Sequence, residues 1–430
     1  MIEPKIPKGF RDSLPEQEIK RKNFERRLEQ VFESYGFVPI DTPVLEYTEV
    51  LLGKGGGETD KQIFHFTDNG GREVALRFDL TVPLARFVSA HRSELQFPFK
   101  RYHIAKVYRG EKPQKGRYRE FKQCDFDIVG ADTAQSDYEI LSLMAASLEA
   151  LDAGSFKIHI SNRALLNDFL KKIGISDKSS EILRAIDKLQ KIGLDNVKSE
   201  LLENGITEDK IDSLLLFIQP GESDYDKVLT HLEELIGETT AAVQRMKDIG
   251  VLMDAEGTKS LFAFDPSITR GLDYYTGVVF ETFLDAIPSI GSVCSGGRYN
   301  NLTGLYSNES LPGVGSCVGI DRLIAAQEEL EKGVAVPPGM VDAVIFADSS
   351  ISASDSVAFA SQLRKKGIRC DIYLGDRKMR EQYEYAQSKG AQFAIVAIKD
   401  SKADIKNLAT REILSGLDSD QAASMIQKRF

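Results

Sequence analysis

The spacing of apolar residues predicts a long helix near the start of the chain. From Ile19 to Tyr35, apolar residues recur at steps of three and four, and Gly36 follows them. Ser13 precedes Glu16 by three residues with a proline between them, which is typical of a helix start. Glycine is the residue most often found just beyond a helix end. The pattern therefore predicts an amphipathic helix that ends before Gly36.

Short apolar or alternating runs predict strands along much of the remaining chain. They lie at 37–40, 63–67, 73–78, 156–160 and 278–284. A longer hairpin is predicted where RYHIAKVYR (101–109) and REFKQCDFDIV (119–129) flank a loop that contains Pro113 and Gly116. Residues 137–151 return to helical spacing.

The pattern also predicts the domain organisation. Residues 169–256 are rich in Leu, Lys, Glu and Asp at helical spacing, and we interpret them as a helical insertion. The insertion interrupts a β-rich domain formed by residues 1–168 and 257–331. Residues 332–340 (KGVAVPPGM) resemble a linker. Residues 341–430 then alternate as β-α-β-α-β, which predicts a small α/β domain with a parallel sheet.

Composition excludes several classes of protein. The 430 residues are 42% hydrophobic and 28% charged, which is typical of a globular protein. No apolar run approaches the roughly 20 residues of a membrane helix, and we expect neither a membrane span nor a secretory signal. The four cysteines are far apart without a CxxC pair, which argues against a disulfide scaffold or zinc site and favours a reducing cytoplasm. A net charge of −10 argues against coating of nucleic acid by bulk charge, although a local patch stays possible.

The predicted hairpin carries the first candidate chemistry. The sequence lacks a GxxxxGK[ST] loop, so any nucleotide phosphates would have to be held by arginines. Arg109 and Glu111 fall on one face, where an arginine can pair with a phosphate and a carboxylate can accept from a purine amino group. On the return strand, Gln123, Asp125 and Asp127 alternate with apolar residues. Their face would line a cleft, although an ordinary half-exposed strand would show the same pattern.

Three further features are candidates for the functional site. Two are segments bounded by glycines, and the third is the start of a helix. Residues 267–277 form a charged and aromatic cluster that runs into a predicted strand, and residues 296–299 read Gly-Gly-Arg-Tyr. Arg322 lies at the start of an apolar helix, where the helix dipole disfavours a cation. It therefore needs an anionic partner, which can be a protein carboxylate or a bound polyphosphate.

These segments together resemble the histidyl-tRNA synthetase family of class II aminoacyl-tRNA synthetases, along essentially the whole chain. Residues 108–111 with the loop 112–122 resemble class II motif 2, and residues 315–322 resemble motif 3. Pro43 sits where the motif 1 proline is expected. RGLDYYTG (270–277) and SGGRYNNL (295–302) resemble the two segments peculiar to the histidine enzymes. The hairpin and residues 77–81 are similar to the eukaryotic-type branch of the family.

The resemblance implies a fold and a set of histidine-binding residues. It implies an α+β catalytic domain with an antiparallel sheet, a helical insertion and a C-terminal α/β anticodon-binding domain. Asp79 and Thr81 would hold the ammonium of histidine, and Gln123 would lie near its carboxylate. Leu80 is also implied to be a histidine-binding residue. Asp127, Tyr274 and Tyr275 would contact the imidazole. The resemblance further implies that Arg109 and Arg270 bind histidine and are catalytic.

The resemblance also implies the nucleotide site and the reaction. Arg109, Glu111, Arg117 and Arg322 would bind ATP, and Arg270 would bridge the substrate carboxylate and the α-phosphate. Histidine would be activated to histidyl-adenylate and transferred to the 3′ end of tRNA(His). Mg²⁺ is expected with ATP, but no protein ligand of a metal can be assigned. The motif 2 loop also offers candidates for contact with ATP or the tRNA, namely Lys115, Arg117 and Arg119.

Further partners and alternative functions follow from the same resemblance. A cytoplasmic homodimer is expected, because motif 1 ordinarily forms the subunit interface. The main alternative is the catalytically inactive paralogue that serves as a regulatory subunit of ATP phosphoribosyltransferase. It generally lacks the C-terminal domain and an intact RGLDYYTG segment, both of which are present in this chain. A synthetase-like regulatory module is a third alternative, disfavoured because no other domain is attached.

Overall fold

The chain forms two compact units. One comprises Met1–Asp12 and Arg21–Glu331, and the other comprises Ser13–Lys20 and Lys332–Phe430. The computed structural model describes residues 1–53, 62–114, 116–219, 221, 223–268, 274–330, 339–349, 351–375 and 378–428. In this part of the chain, no helix is both long enough and apolar enough to cross a bilayer.

The first unit contains strands β1–β11 and helices α1–α12, except that the first turns of α1, up to Lys20, are grouped with the second unit. Its strands are β1 (Val38–Pro39), β2 (Leu45–Tyr47), β3 (His65–Thr67), β4 (Glu73–Leu76), β5 (Phe99–Tyr108), β6 (Glu120–Val129), β7 (Phe156–Asn162), β8 (Phe262–Phe264), β9 (Val278–Leu284), β10 (Cys294–Arg298) and β11 (Gly313–Val318). Its helices are α1 (Pro15–Ser34), α2 (Thr48–Leu52), α3 (Thr81–Ala90), α4 (Ala134–Ala150), α5 (Arg163–Lys172), α6 (Ser179–Asp187), α7 (Leu189–Ile192), α8 (Leu194–Glu203), α9 (Glu208–Ile218), α10 (Tyr225–Ile236), α11 (Ala241–Glu256) and α12 (Ile320–Leu330).

The centre of this unit is an eight-stranded sheet, as counted over the described residues. Its order is β1-β5-β6-β11-β10-β9-β7-β8. The six central strands are antiparallel, whereas the edge pairs β1–β5 and β7–β8 are parallel. The predicted antiparallel sheet is therefore confirmed for the centre and differs at both edges. Parallel pairing requires a long crossover, and the long segments between each of these strand pairs provide one.

Helix α1 and the seven helices α5–α11 bury apolar faces in the same core as the sheet. Phe32 of α1 packs against the rings of Tyr102 and Phe126, with centroids 5.4 and 5.0 Å away. Among the helices between β7 and β8, Phe169 stacks on Phe217 at 4.7 Å. Both lie in the cluster that includes the sheet residues. A smaller sheet has the strand order β2-β4-β3. Along the chain, β4 is followed by the segment that contains Asp79 and then by α3.

The second unit is a smaller α/β structure. Its elements are β12 (Ala343–Ile345), α13 (Ala353–Lys365), β13 (Cys370–Ile372), α14 (Met379–Ser388), β14 (Phe393–Lys399), β15 (Lys402–Asn407), β16 (Ile413–Leu417) and α15 (Ser419–Gln427). The sheet order is β13-β12-β14-β15-β16, and the first three strands are parallel as predicted. β15 and β16 add two antiparallel strands that the sequence pattern did not predict.

Candidate active site

One face of β6 lines a cavity of about 210 Å³ in the first unit. Gln123, Asp125 and Asp127 point into it, whereas the alternate residues Cys124 and Phe126 lie in the hydrophobic core. The alternation of polar and apolar residues in the sequence predicted this division. All three polar side chains are less than a tenth exposed, so their charges and hydrogen bonds act largely out of contact with water.

A buried ion pair forms the floor of this cavity. Arg101 on β5 lies directly opposite Asp127 in the strand register, and its Nη2 atom is 2.7 Å from the Asp127 Oδ2 atom. The Tyr299 hydroxyl donates to Asp127 Oδ1 at 2.5 Å. Burial raises the pKa of Asp127, while Arg101 and Tyr299 oppose the increase. Of the two oxygens of the predicted imidazole-binding carboxylate, Oδ1 is therefore hydrogen-bonded to protein, whereas Oδ2 is in ion-pair contact with Arg101 but has no hydrogen-bond partner among the described residues.

Two glycines allow the strands around this floor to approach closely. A Cβ atom on Gly315 would lie 1.9 Å from Asp127 Oδ1, and one on Gly296 would lie 2.1 Å from the carbonyl oxygen of Gly315. Such separations are far below any non-bonded contact, so side chains at these positions are excluded unless the backbone or Asp127 moves. The glycines singled out in residues 296–299 and 315–322 thus have a steric function.

The segment before α3 supplies a second carboxylate. Asp79 is 3% exposed, and it accepts from the backbone N–H of Val82 at 3.1 Å and from the Tyr274 hydroxyl at 3.2 Å. Burial raises its pKa. Thr81 also lines the cavity. Leu80, predicted with them, has a fully buried apolar side chain, and its carbonyl oxygen accepts from Arg101 at 3.2 Å.

Three tyrosines enclose the inner half of the cavity. The Tyr274 ring packs edge-on against Tyr275 and Tyr299, with centroids 5.0 and 5.9 Å away. The carbonyl oxygen of Tyr275 accepts from Arg163 at 2.8 Å. The structure thus brings together the tyrosines of the two segments that resemble the histidine-specific motifs. Arg270, the predicted catalytic residue of the first segment, lies outside the described residues.

The outer half of the cavity is lined by arginines. Arg109 donates to the carbonyl oxygen of Phe78 at 3.1 Å, and its guanidinium lies over the Phe78 and Phe121 rings. Arg117 pairs with Glu111 at 2.8 Å. Because Glu111 is predicted to contact adenine, this pair occupies one of its oxygens. Lys115 of the same loop lies outside the described residues.

Arg322 on α12 is the third arginine of this outer half. It donates to the carbonyl oxygen of Ser292. Burial lowers its pKa, and the nearby charges of Arg117 and Arg109 lower it further. Within the described part of the chain, no carboxylate lies in ion-pair range of Arg322. The protein carboxylate that sequence analysis left open is therefore absent from this part, which favours an anionic ligand.

Sequence analysis missed the charged residues that hold these elements in place. Arg101 faces Asp127, as described above. Asp321 at the start of α12 pairs with Arg11 and Arg21, the latter at 2.9 Å, and accepts from the backbone N–H of Lys122 at 3.0 Å. The sequence offered one signal for each residue: Arg101 is a charged residue within a predicted strand, and Asp321 is a charged residue at the start of an apolar helix. Their partners are distant in sequence and could not be identified from spacing.

Comparison with known proteins gives matches over most of the chain. A family model described as histidyl-tRNA synthetase matches residues 9–323, and one described as an anticodon binding domain matches residues 350–429. The histidine–tRNA ligase of Treponema denticola is 52% identical over 408 residues, which cover 93% of this chain and 90% of that protein. The histidine–tRNA ligase of Rhodopirellula baltica is 47% identical over 424 residues, covering 96% and 95%.

A solved structure extends the similarity to the whole fold. The crystal structure of histidyl-tRNA synthetase from Nostoc sp. matches with a TM-score of 0.89 at 31% identity, and the match covers all of both chains. The α+β fold with a helical region and a C-terminal anticodon-binding domain, implied by the resemblance, is confirmed. This chain therefore belongs to the histidyl-tRNA synthetase family.

Proposed function

We propose that the cavity binds L-histidine and ATP and joins them as histidyl-adenylate, from which the histidyl group passes to the 3′ end of tRNA(His). The observation that carries this proposal is the distribution of charge in the cavity. Its inner half has three buried carboxylates, and its outer half has three arginines together with the carboxylates of Glu111, Glu281 and Asp321. Carboxylates suit the ammonium and ring N–H of histidine, whereas arginines suit a polyphosphate.

In the inner half, we assign the histidine subsites residue by residue. Asp79 and Thr81 receive the ammonium, with Leu80 positioning Arg101 through its carbonyl oxygen. Gln123 lies near the substrate carboxylate, to which its Nε2 amide group, and not its Oε1 atom, can donate. The imidazole ring of histidine faces Asp127, Tyr274 and Tyr275. Direct acceptance by Asp127 stays a prediction; its Oδ1 atom already accepts from Tyr299, whereas its buried Oδ2 atom has no hydrogen-bond partner among the described residues.

In the outer half, the arginines bind ATP and support its reaction. Arg109 grips the α-phosphate, Arg117 and Arg322 contact the outer phosphates, and Glu111 lies at the adenine. An oxygen of the histidine carboxylate attacks the α-phosphorus, and pyrophosphate leaves in line with it. Arg270 bridges the histidine carboxylate and the α-phosphate of ATP. Arginines held in place before the reaction stabilise the developing charge without reorganisation.

Mg²⁺ is proposed to arrive with ATP. This ion usually keeps several waters and is held by one or two carboxylates together with phosphates. Glu281 lines the outer cavity and fits this role. The described residues contain no cluster of three or more potential metal-ligating side chains. When bound, the ion would neutralise phosphate charge while the arginines orient the nucleotide.

The transfer step requires tRNA, for which we propose a division of labour. Residues 1–168 and 257–331 form the catalytic domain, residues 169–256 the helical insertion, residues 332–340 a linker and residues 341–430 the anticodon-binding domain. The uninterrupted series α5–α11 and the two family matches support this division. Lys115, Arg117 and Arg119 of the hairpin loop are candidates for contact with the acceptor end.

We further propose a homodimer that works in the cytoplasm. Apolar side chains on β1–β3 and beside Pro43 are more than a third exposed, which suits a subunit interface. These side chains are Val38, Val44, Leu45, Tyr47 and Phe66. The four cysteines are all unpaired, in keeping with a reducing compartment.

The test is pyrophosphate exchange into ATP by the purified full chain, with each amino acid supplied separately. Exchange with histidine alone, followed by charging of tRNA(His) but not of another tRNA, is expected. Absence of exchange with every amino acid would overturn the proposal and favour the regulatory subunit of ATP phosphoribosyltransferase. That alternative is not favoured, because the curated relatives described above are named as ligases.

A further inference from the structure

The backbone that precedes α1 contacts the end of the loop between β5 and β6. The carbonyl oxygen of Gly9 accepts from the backbone N–H of Arg119 at 2.9 Å, and the carbonyl oxygen of Lys8 accepts from the Arg119 guanidinium at 3.1 Å. Gly9 has a φ of +89°, and a Cβ atom there would lie 2.7 Å from Arg119 Cδ. Glycine is therefore the residue that fits this contact without movement. We refer to residues 8–11 as the N-terminal strap.

Arg119 connects the strap to two residues that are assigned to ATP. Its backbone carbonyl oxygen accepts from the backbone N–H of Arg109 at 2.9 Å, and its Nε–H group donates to the carbonyl oxygen of Glu111 at 3.1 Å. Arg109 and Glu111 both line the outer half of the cavity. The strap thus holds, through Arg119, the backbone from which both of these side chains project.

Arg11 provides a second connection to the same half of the cavity. Its guanidinium pairs with the carboxylate of Asp321 and lies over the Tyr118 ring, 3.8 Å from the centroid. Tyr118 and Asp321 both line the cavity. Asp321 also accepts from the backbone N–H of Lys122 on β6 at 3.0 Å, and it directly precedes Arg322 on α12. Arg11 therefore joins the hairpin loop to the start of the helix that carries Arg322.

We propose that the N-terminal strap preorganises the ATP half of the cavity, with Arg11 as a positioning residue for ATP. The inference rests on the proposed function and extends it to a segment that has no assigned subsite. A loop that is ordered before ATP arrives removes an entropic cost that ATP binding would otherwise have to overcome. The contacts of the strap described above all reach the outer half. We therefore expect loss of the strap to weaken ATP binding and to leave histidine binding nearly unchanged.

The principal variant is Arg11→Met, which removes the guanidinium and keeps an apolar stem. Pyrophosphate exchange by the full chain gives the KM for ATP and the KM for histidine. We expect the ATP KM to rise about tenfold and the histidine KM to stay within about twofold of wild type. Because the loop must be ordered when ATP binds, the effect should fall on the ATP KM more than on kcat. Arg27→Met is the matched control, because Arg27 on α1 also pairs with a carboxylate, that of exposed Asp152, at 2.6 Å.

Gly9→Ala tests the backbone contact of the strap independently of Arg11. The added Cβ atom would push the Arg119 side chain away, so the ATP KM should again rise while the histidine KM does not. Gly154→Ala is its control, because Gly154 has a φ of +79° and a Cβ atom there would meet nothing within 4 Å. Both alanines bear the cost of a positive φ, and the comparison therefore isolates the contact with Arg119.

Thermal melting separates positioning of ATP from a general structural function. When Arg11 is replaced, Asp321 retains its ion pair with Arg21 at 2.9 Å, so its buried carboxylate is not left unpaired. Arg11→Met should therefore melt within about 2 °C of Arg27→Met. Arg11→Lys keeps the positive charge and should recover part of the lost ATP affinity, which a variant that merely unfolds the segment would not do.

Each outcome has a distinct meaning. If the wild type shows no histidine-dependent exchange, the proposed function itself fails. A selective rise of the ATP KM in both Arg11→Met and Gly9→Ala, at the melting temperature of their controls, supports the strap. If the wild type is active and either variant keeps the ATP KM of its control, the inference is wrong. It is also wrong if the histidine and ATP KM values rise together or the variants melt well below their controls, because these results indicate a structural segment.

Discussion

Replacement of Gly315 by alanine tests the packing of the cavity floor. The added Cβ atom would lie 1.9 Å from Asp127 Oδ1, and real Cβ contacts are essentially never shorter than 3.0 Å. The two atoms must therefore separate by about 1.1 Å. Asp127 cannot rotate freely, because Arg101 holds one oxygen at 2.7 Å and Tyr299 holds the other at 2.5 Å.

The magnitude follows from these contacts. A shift of this size would break the Tyr299 hydrogen bond or strain β11, and a hydrogen bond to a charged group contributes about 1.5–3 kcal/mol. Overpacking of a tight core typically costs about 1–3 kcal/mol. We expect Gly315→Ala to lose about 3 kcal/mol of stability, which lowers Tm by roughly 6–12 °C. The histidine KM should rise by about tenfold or more, because the imidazole subsite is displaced.

Thermal melting and pyrophosphate exchange measure both effects. Gly304→Ala is the matched control, because Gly304 is exposed and the Cβ atom would meet Ser310 at an ordinary 3.6 Å. This control should stay within about 0.5 kcal/mol of wild type. If Gly315→Ala melts and binds histidine like Gly304→Ala, the close approach of β11 to Asp127 is incorrect.

Three further substitutions or truncations test other parts of the argument. Arg270→Ala should fold normally and nearly abolish adenylate formation while histidine binding weakens less, since its proposed contacts form mainly in the transition state; exchange within a few-fold of wild type would refute the assignment. Truncation after Lys332 should leave exchange substantially intact and cripple tRNA charging, and equal charging by the folded fragment would contradict the proposed domain functions. Arg245→Met removes contacts of 2.6 Å to fully buried Asp137 and of 2.8 Å to Asp132, and should cost about 1–3 kcal/mol in thermal melting. Lys247→Met is its control, because the more exposed ion pair of Lys247 with Glu233 should contribute less than about 1 kcal/mol to stability. Equal losses of stability in the two variants would show that the buried ion pairs of Arg245 contribute no more than this exposed pair.

The sequence predicted local patterns well. Helix α1 and strand β9 have nearly the predicted bounds, because each carries an unbroken period with clear ends. The polar face of β6 was also predicted, since alternation along one strand depends on neighbouring residues only. These features require no knowledge of distant parts of the chain.

Features that depend on distant contacts were missed. The pairing of Arg101 with Asp127 requires the register of the β5–β6 hairpin, which the long loop between the strands does not reveal. The β14–β15 hairpin has a tight turn at Asp400 and Ser401, both with positive φ, and this pair lacks the glycine that usually marks such turns. Local sequence therefore gave no signal for the added antiparallel strands.

The two aspartates of β6 show why burial and pairing, rather than residue type, assign functions within this cavity. They are two residues apart, share a face and are equally buried. Arg101 lies opposite Asp127 and compensates it, whereas neutral His103 lies opposite Asp125. The two carboxylates therefore differ in the residue that faces them, although they share a strand, a face and a depth of burial. Because burial raises the pKa of Asp125 above its ordinary value despite the charge of Arg101, its ionisation lowers the stability of the fold as pH rises.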